Sequence, residues 1–310
     1  MMAPLLRVSN LNKVYGDKRL LFRKPGDAVR AVCDVSFEVG VAETFGLVGE
    51  SGSGKSTVGR LISLLDTPTS GEIVFEGRSI FELRNRELRA FRRKVQIVFQ
   101  DPYSSLSPRM RVGDFVAEPF IVHGVTKNRR ELEERVARLF KMVGLDPVLM
   151  RRYPHEFSGG QRQRICIARA IALEPSFVVA DEAITALDVS VQAQIVNLFE
   201  DLREQLGFAY TFIAHDLTMV RYLCQRVAVM RQGRIVEMGL TEDVFANPLH
   251  PYTRTLLAAI PRPDPALKRA RYSTSTRPVP EAAESDRLVE VEANHFVLGS
   301  PCDPPMMNVA

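Results

Sequence analysis

No stretch of this 310-residue sequence holds the roughly 18 consecutive apolar residues that a membrane-crossing helix needs, although 45% of its residues are hydrophobic. The chain is not expected to cross a bilayer alone, and its apolar content is free to build one large core, with or without an appendage. The first residues, Met1-Met2-Ala3-Pro4-Leu5-Leu6-Arg7, show no basic segment leading into a signal-length apolar run, so a cytosolic chain is expected. Long basic blocks are missing too. The net charge is +4, from 41 basic against 37 acidic residues, too small an excess to mark a nucleic-acid binder. Cysteine is scarce: Cys33, Cys166, Cys224 and Cys302 are scattered without CxxC spacing, unlike a clustered metal or disulfide framework. The first three are expected as reduced core or helix residues.

What is present is an alternation of short β-rich runs with longer helical patterns, the order of an α/β sheet. Residues 44–48 are apolar before a glycine turn, and 58–65 then show helical spacing. Strands are expected at 72–75, 95–99, 177–180, 209–213, 227–230 and 234–237, the last two around Gln232-Gly233. Between 112 and 142 apolar positions recur at helical spacing with a break at 127–130, which predicts a small helical subdomain carrying a charged outer face. Helices are also expected at 161–173, at 189–205 and from about Leu217. The core domain is expected to end near Ile260. Beyond it Pro261, Pro263, Pro265, Pro278 and Pro280 punctuate a polar extension that cannot bury a core of its own, and only 288–297 regains strand-like alternation.

Gly49-Glu50-Ser51-Gly52-Ser53-Gly54-Lys55-Ser56 fits GxxxxGK[ST] between a predicted strand and a predicted helix, the context this phosphate-binding loop requires. Gly49, Gly52 and Gly54 let successive backbone N–H groups curl round phosphate oxygens without Cβ clashes, and the next helix offers its positive end. Lys55 is placed for the β and γ phosphates and Ser56 for Mg²⁺, with Ser51 and Thr57 flanking them. This motif alone leaves kinases, GTPases, helicases and transporter ATPases open.

Asp181-Glu182 follows the apolar run Phe177-Val178-Val179-Ala180, at a strand end, where open α/β sheets bind ligands. Adjacent carboxylates on a solvated turn are commonplace, but behind such a strand Asp181 suits a Mg²⁺ shell and Glu182 can polarise an attacking water. Phe157-Ser158-Gly159-Gly160-Gln161-Arg162-Gln163-Arg164 opens the 161–173 helix with hydroxyl and N–H donors suited to phosphate.

This string resembles the signature of the ATP-binding cassette (ABC) transporter ATPases, and Asp181-Glu182 with Ala186-Leu187-Asp188 resembles the Walker B and D-loop of that family. The order of phosphate loop, Gln100, signature, acidic pair and His215 also resembles it, and the resemblance runs from Leu5 to about Ile260. It implies an α/β P-loop fold of ABC type: a RecA-like core, an antiparallel β subdomain and a helical signature subdomain at about 102–165. By the same resemblance Gln100 senses the γ-phosphate, shares in the metal site and couples to membrane subunits, and His215 contacts the γ-phosphate. A lone histidine after a strand is otherwise a hydrogen-bonded structural residue. Tyr15 matches the aromatic that stacks on adenine, an edge-strand tyrosine being the other reading. Ser158, Gly159, Gly160, Gln161 and Asp188 join the nucleotide-binding set. One departure stands out: after the acid the family has Pro-Thr or Pro-Ser, whereas here Ala183-Ile184 follows, losing proline's fixed φ.

Gln100-Asp101-Pro102-Tyr103 and the residues after it to Met110, together with Asn247-Pro248-Leu249-His250-Pro251-Tyr252-Thr253 and the residues after it to Leu257 and the segment 18–30, resemble the oligopeptide, dipeptide and nickel importer ATPases. Some relatives bind an iron-sulfur cluster in the C-terminal extension, but Cys302 is alone there, so four-thiolate ligation within one chain is not available. The resemblance implies ATP and Mg²⁺ as ligands and a second ABC ATPase subunit, a sibling or a second copy, as partner. It further implies two transmembrane permeases, an extracytoplasmic solute-binding protein acting indirectly, and a place at the cytoplasmic face of the membrane; nucleic acid is not an expected partner. A soluble non-transport ABC ATPase or a nucleotide sensor is the alternative.

Overall fold

A computed structural model of the chain describes residues 3–16, 28–182, 188–215, 217–259, 283 and 285–299. Ala183, Ile184, Ala186, Leu187 and Cys302, most of the 18–30 segment, the Ile260 boundary and the proline-rich stretch after it lie outside these residues.

β1 (Leu6–Tyr15) and β2 (Val29–Val39) mix buried with exposed positions, as strands with one face on a core do. β3 (Thr44–Val48) is buried throughout, and α1 (Lys55–Ile62) follows it. Next come β4 (Ser70–Phe75), β5 (Arg78–Ser79), α2 (Asn85–Lys94) and β6 (Val95–Val98). The helical layer comprises α3 (Pro102–Ser105), α4 (Val112–Val122), α5 (Arg129–Met142) and α6 (Gly159–Ile171). β7 (Phe177–Asp181), α7 (Val189–Leu206), β8 (Ala209–Ala214), α8 (Leu217–Leu223), β9 (Arg226–Arg231) and β10 (Arg234–Leu240) return to the sheet. α9 (Thr241–Ala246), α10 (Pro251–Ala258), β11 (Arg287–Glu292) and β12 (His295–Gly299) complete the described chain.

Among the described residues the strands form a four-stranded sheet ordered β2-β1-β4-β5 and an eight-stranded sheet ordered β11-β12-β10-β9-β3-β8-β7-β6. β3 runs parallel to β8 and β9, and β7 runs parallel to β8 and β6. One apolar cluster fills the space between the two sheets and includes Val8, Phe37, Phe45, Leu47, Leu61 and Ile73, with Phe37 stacked on Phe45. A second spans the other face of the large sheet and the helical layer, joining Phe115, Phe120, Phe140 and Ile165 to Val178 and Phe212. The charged face expected on the helical segment is present as three pairs one turn apart on α5: Arg129 with Glu133, Arg130 with Glu134, and Arg135 with Glu131.

Expected element positions hold to within a few residues, and the shifts have local causes. α6 begins two residues early because Ser158 and Gln161 form a capping box: Gln161 N–H donates to Ser158 Oγ, and Ser158 N–H donates to Gln161 Oε1. The larger difference lies at the C-terminal end. The alternation over 288–297 suggests a single strand, but the structure has a hairpin, because Asn294 takes a left-handed φ of 61° and turns the chain. β12 then pairs with β10, Glu237 opposite Val297, and extends the core sheet.

This pairing encloses polar groups. Glu237 is 0% exposed and His295 1% exposed, and His295 Nε2 lies 2.8 Å from Glu237 Oε1. Replacing His295 with alanine leaves the carboxylate short of a partner, a loss worth about 1–3 kcal/mol. His295→Ala is therefore expected to lower the thermal midpoint by several degrees in scanning calorimetry. An unchanged midpoint would show that the His295–Glu237 contact contributes nothing to stability.

Candidate functional site

The carboxyl ends of the parallel strands reach one rim of the large sheet. Val48 at the end of β3 lies opposite Ala214 of β8 and Val229 of β9; Asp181 of β7 lies opposite Ile213; and Val98 of β6 lies opposite Ala180. The phosphate loop, His215, Glu182, Gln100 and the β9–β10 turn thus leave the sheet at the same edge, where open α/β sheets bind ligands.

The loop's glycines are dictated by geometry at two positions. Gly49 (φ 149°) and Gly54 (φ 104°) have conformations L residues avoid, and a Cβ would stand 2.0 Å from Met230 O and 2.1 Å from Ala31 O respectively. Lys55 is 3% exposed, and its Nζ donates to Gly49 O and Glu50 O at 2.8 Å each and to Ser53 Oγ at 3.3 Å. Burial pushes this ammonium below its ordinary pKa, while the Glu182, Asp181 and Glu50 carboxylates pull it back up. Ser56 Oγ donates to Asp181 Oδ1 at 2.8 Å. Burial raises the Asp181 carboxyl above its usual range, opposed by that hydrogen bond.

Glu182 occupies a left-handed backbone conformation (φ 46°), rare for a non-glycine residue and a form of local strain found at functional positions. Its N–H donates to Ile213 O at 2.9 Å, and Gln100 Nε2 donates to its Oε2 at 2.6 Å. Tyr15 stands beside Thr57, and its hydroxyl donates to Asp66 Oδ2 at 2.7 Å with Lys13 Nζ over its ring. Burial, followed by the Asp66 hydrogen bond, raises the Tyr15 pKa.

Ser51, Gly52, Gly54, Lys55, Ser56, Thr57, Gln100 and Glu182 line one cleft of about 450 Å³. Gly49 and Asp181 adjoin it through Lys55 and Ser56. His215 is exposed after β8. Ser158, Gly159, Gly160, Gln161 and Asp188 are absent from the cleft lining. Gly160 is required by packing, since a Cβ would meet Val191 Cγ1 at 2.5 Å. Val29, Arg30 and Ala31 of β2 and Gln232 of the β9–β10 turn also line the cleft, and the sequence had not marked them. That turn holds the phosphate loop, Gly233 N–H donating to Ser53 O at 2.9 Å. Its only sequence signal was Gln232-Gly233 as a hairpin turn.

Cys33, Cys166 and Cys224 are free thiols, and burial pushes Cys166 up to about 12. No cluster of three or more His, Cys, Asp or Glu suited to a metal occurs among the described residues, and no helix among them is long and apolar enough to cross a membrane.

Residues 32–185 match the ABC transporter family, and residues 236–286 match the oligopeptide/dipeptide transporter C-terminal region. The chain is 50% identical over 297 residues to the oligopeptide transport ATP-binding protein OppF of Streptococcus mutans, covering 96% of this chain and 94% of that protein. It is 49% identical to the dipeptide transport ATP-binding protein DppF of Lactococcus lactis, covering 89% of each. A solved dimeric structure of the ATP-binding cassette MJ0796 in a post-hydrolysis state, bound to ADP and Pi, superposes with a TM-score of 0.67 at 28% identity, over 76% of this chain and 98% of that one. The cbiO1 structure from Clostridium perfringens, part of the ABC transporter complex cbiONQ, gives 0.67 at 27% identity, over 79% and 92%. Fold, rim and loop are those of a P-loop ATPase of the cassette type. The chain belongs to the ABC transporter ATP-binding proteins, in the group that carries the oligopeptide/dipeptide transporter C-terminal region. It is a nucleotide-binding ATP hydrolase.

Two substitutions test the loop. Lys55→Ala removes the charge set against phosphate and is expected to weaken ATP binding about ten- to a hundredfold, the range for hydrogen bonds to charged groups. Gly54→Ala forces a Cβ onto the Ala31 carbonyl and is expected to abolish binding. Near-native affinity of either variant in calorimetric titration would sink the assignment.

Proposed function

We propose that the chain hydrolyses ATP to power the import of peptides or related small solutes, acting at the cytoplasmic face of the membrane. The observation that carries the reading is the pair of contacts at the rim, Ser56 to Asp181 and Gln100 to Glu182, which sets a phosphate loop against two carboxylates in different environments. The substrate class follows from the peptide-transport relatives and the matched C-terminal region.

Lys55 and the loop N–H groups bind the β and γ phosphates, and Tyr15, beside Thr57, offers its ring to the adenine. The residues suit Mg²⁺: Ser56 Oγ and Asp181 Oδ1 are hard oxygen donors 2.8 Å apart, and an ion bound by one or two side chains plus substrate phosphates needs no larger protein cluster. Ser56, Asp181 and Gln100 would hold it, and it would neutralise charge on the phosphate oxygens. Glu182 orients and deprotonates the attacking water, aligned by Gln100, and His215 contacts the γ-phosphate.

The signature residues Ser158, Gly159, Gly160 and Gln161, which stand outside this chain's own cleft lining, and Asp188 serve the nucleotide of a second ATPase subunit, a sibling or a second copy. ATP then joins the two subunits and hydrolysis separates them. The helical layer after Gln100 passes that motion to two transmembrane permeases, which receive solute from an extracytoplasmic binding protein.

Glu182→Gln keeps size and hydrogen bonding but removes the base. Turnover is expected to fall about 10²- to 10⁴-fold, with ATP binding retained and an ATP-bound pair of subunits accumulating on size-exclusion chromatography. Asp181→Asn is expected to weaken Mg²⁺-dependent nucleotide binding as well as rate. Unchanged hydrolysis by the Glu182→Gln protein would refute the catalytic assignment.

A further inference from the structure

The C-terminal segment reaches the phosphate loop through a run of partly buried hydrogen bonds. Glu50 N–H, inside the loop, donates to the hydroxyl of Tyr252 on α10 at 3.1 Å, across 202 positions of sequence. Tyr252 is 4% exposed, and the Arg231 guanidinium lies 5.2 Å over its ring. Tyr252 N–H donates to His250 Nδ1, which caps α10. The backbone ahead of α10 is fastened in turn to Glu237 of β10: Leu249 N–H donates to Oε1 at 2.8 Å and His250 N–H to Oε2 at 3.0 Å. The same Oε1 meets His295 of the terminal hairpin. Burial keeps His250 a free base, its pKa lowered to about 4, so Nδ1 retains the lone pair this cap uses.

The loop contact matters because of which peptide it grips. In a trans peptide the carbonyl and the N–H point opposite ways. The Gly49–Glu50 peptide turns its N–H to Tyr252 and its carbonyl, Gly49 O, to the Lys55 ammonium. Lys55 also bonds the next carbonyl, Glu50 O. Rotating this peptide would therefore move Gly49 O, one of the three acceptors that hold the phosphate-binding charge.

We propose that Tyr252 is a positioning residue for nucleotide binding, fixing the Gly49–Glu50 peptide and through it Lys55, and that Glu237 ties this contact to the terminal hairpin. The C-terminal region is then part of the ATP site's support. The inference rests on the reading of this loop as the ATP site.

The test is Tyr252→Phe in the full chain, which deletes one oxygen and keeps the ring. Magnesium ATP titrated into the protein is expected to bind about two- to tenfold more weakly, the worth of one hydrogen bond. In the transporter assembled with its partners, KM for ATP is expected to rise in parallel, with kcat changed less than twofold. His295→Ala is expected to weaken ATP binding in the Tyr252 background but to add little in the Tyr252→Phe background. An unchanged ATP affinity in Tyr252→Phe, or a fall in kcat and thermal midpoint with KM unmoved, would overturn the positioning role, and additive effects of the two substitutions would overturn the tie to the hairpin. Failure of the unmutated chain to bind ATP would instead overturn the functional reading beneath it.

Discussion

Parallel strands joined by helical crossovers all begin at one edge of a sheet and end at the other. Here that rule carries the chemistry. β3, β7 and β8 end within a residue of one another in the sheet register, so Lys55, Asp181 and Glu182 meet although more than a hundred residues separate the first from the others. The constraint is strict because the side-chain period of a strand is two. A slip of one residue in β7 would turn Asp181 to the opposite face and remove its carboxylate from the 2.8 Å contact with Ser56. The packing on both faces of the large sheet, Leu47 and Val179 on one side and Val178 and Phe212 on the other, resists such a slip.

The same convergence buries charge. Lys55 and Asp181 are 3% and 6% exposed, and burial shifts both toward their neutral forms. Both shifts are opposed by neighbours of opposite sign, and at Asp181 by the Ser56 hydroxyl, while two backbone carbonyls and a hydroxyl accept from Lys55. A phosphate binder built this way holds its cation ready with polar groups already oriented. Phosphate oxygens compete with carbonyls rather than with bulk water, so orientation costs little at the moment of binding.

The part of this arrangement legible in the sequence is the part encoded locally. A phosphate loop is a run of φ values that glycine adopts readily, flanked by an apolar strand and a helix, and all of it lies within a short window. The capping box at Ser158 and the acidic pair behind Phe177-Val178-Val179-Ala180 are local in the same sense. The contacts the sequence hid join distant segments. Gly233 N–H on Ser53 O and Tyr252 on Glu50 N–H depend on β9 lying between β3 and β10, which no local pattern announces. The terminal hairpin was concealed differently: alternation runs through Asn294 without interruption, so one strand and two strands look alike until φ is known.

The missing proline after Glu182 bears on how the rim works. Ala183 stands in that place, and Glu182 itself is held from two directions, by its N–H on the β8 carbonyl of Ile213 and by Gln100 on its carboxylate. The first hold belongs to the sheet and moves with the phosphate loop. The second belongs to the residue that leads into the helical layer, where Asp101 caps α3 by accepting from Tyr103 N–H. Arg162 of the signature helix stacks its guanidinium 4.0 Å over the Tyr103 ring, so α3 and α6 are linked through this short helix. A displacement of the helical layer that drew Gln100 back would thus take a donor from Glu182 while leaving the loop, Lys55 and Ser56 in place. In the proposed mechanism, substrate binding and orientation of the base are therefore supported by different parts of the fold, and the 2.6 Å contact between Gln100 and Glu182 is where they join.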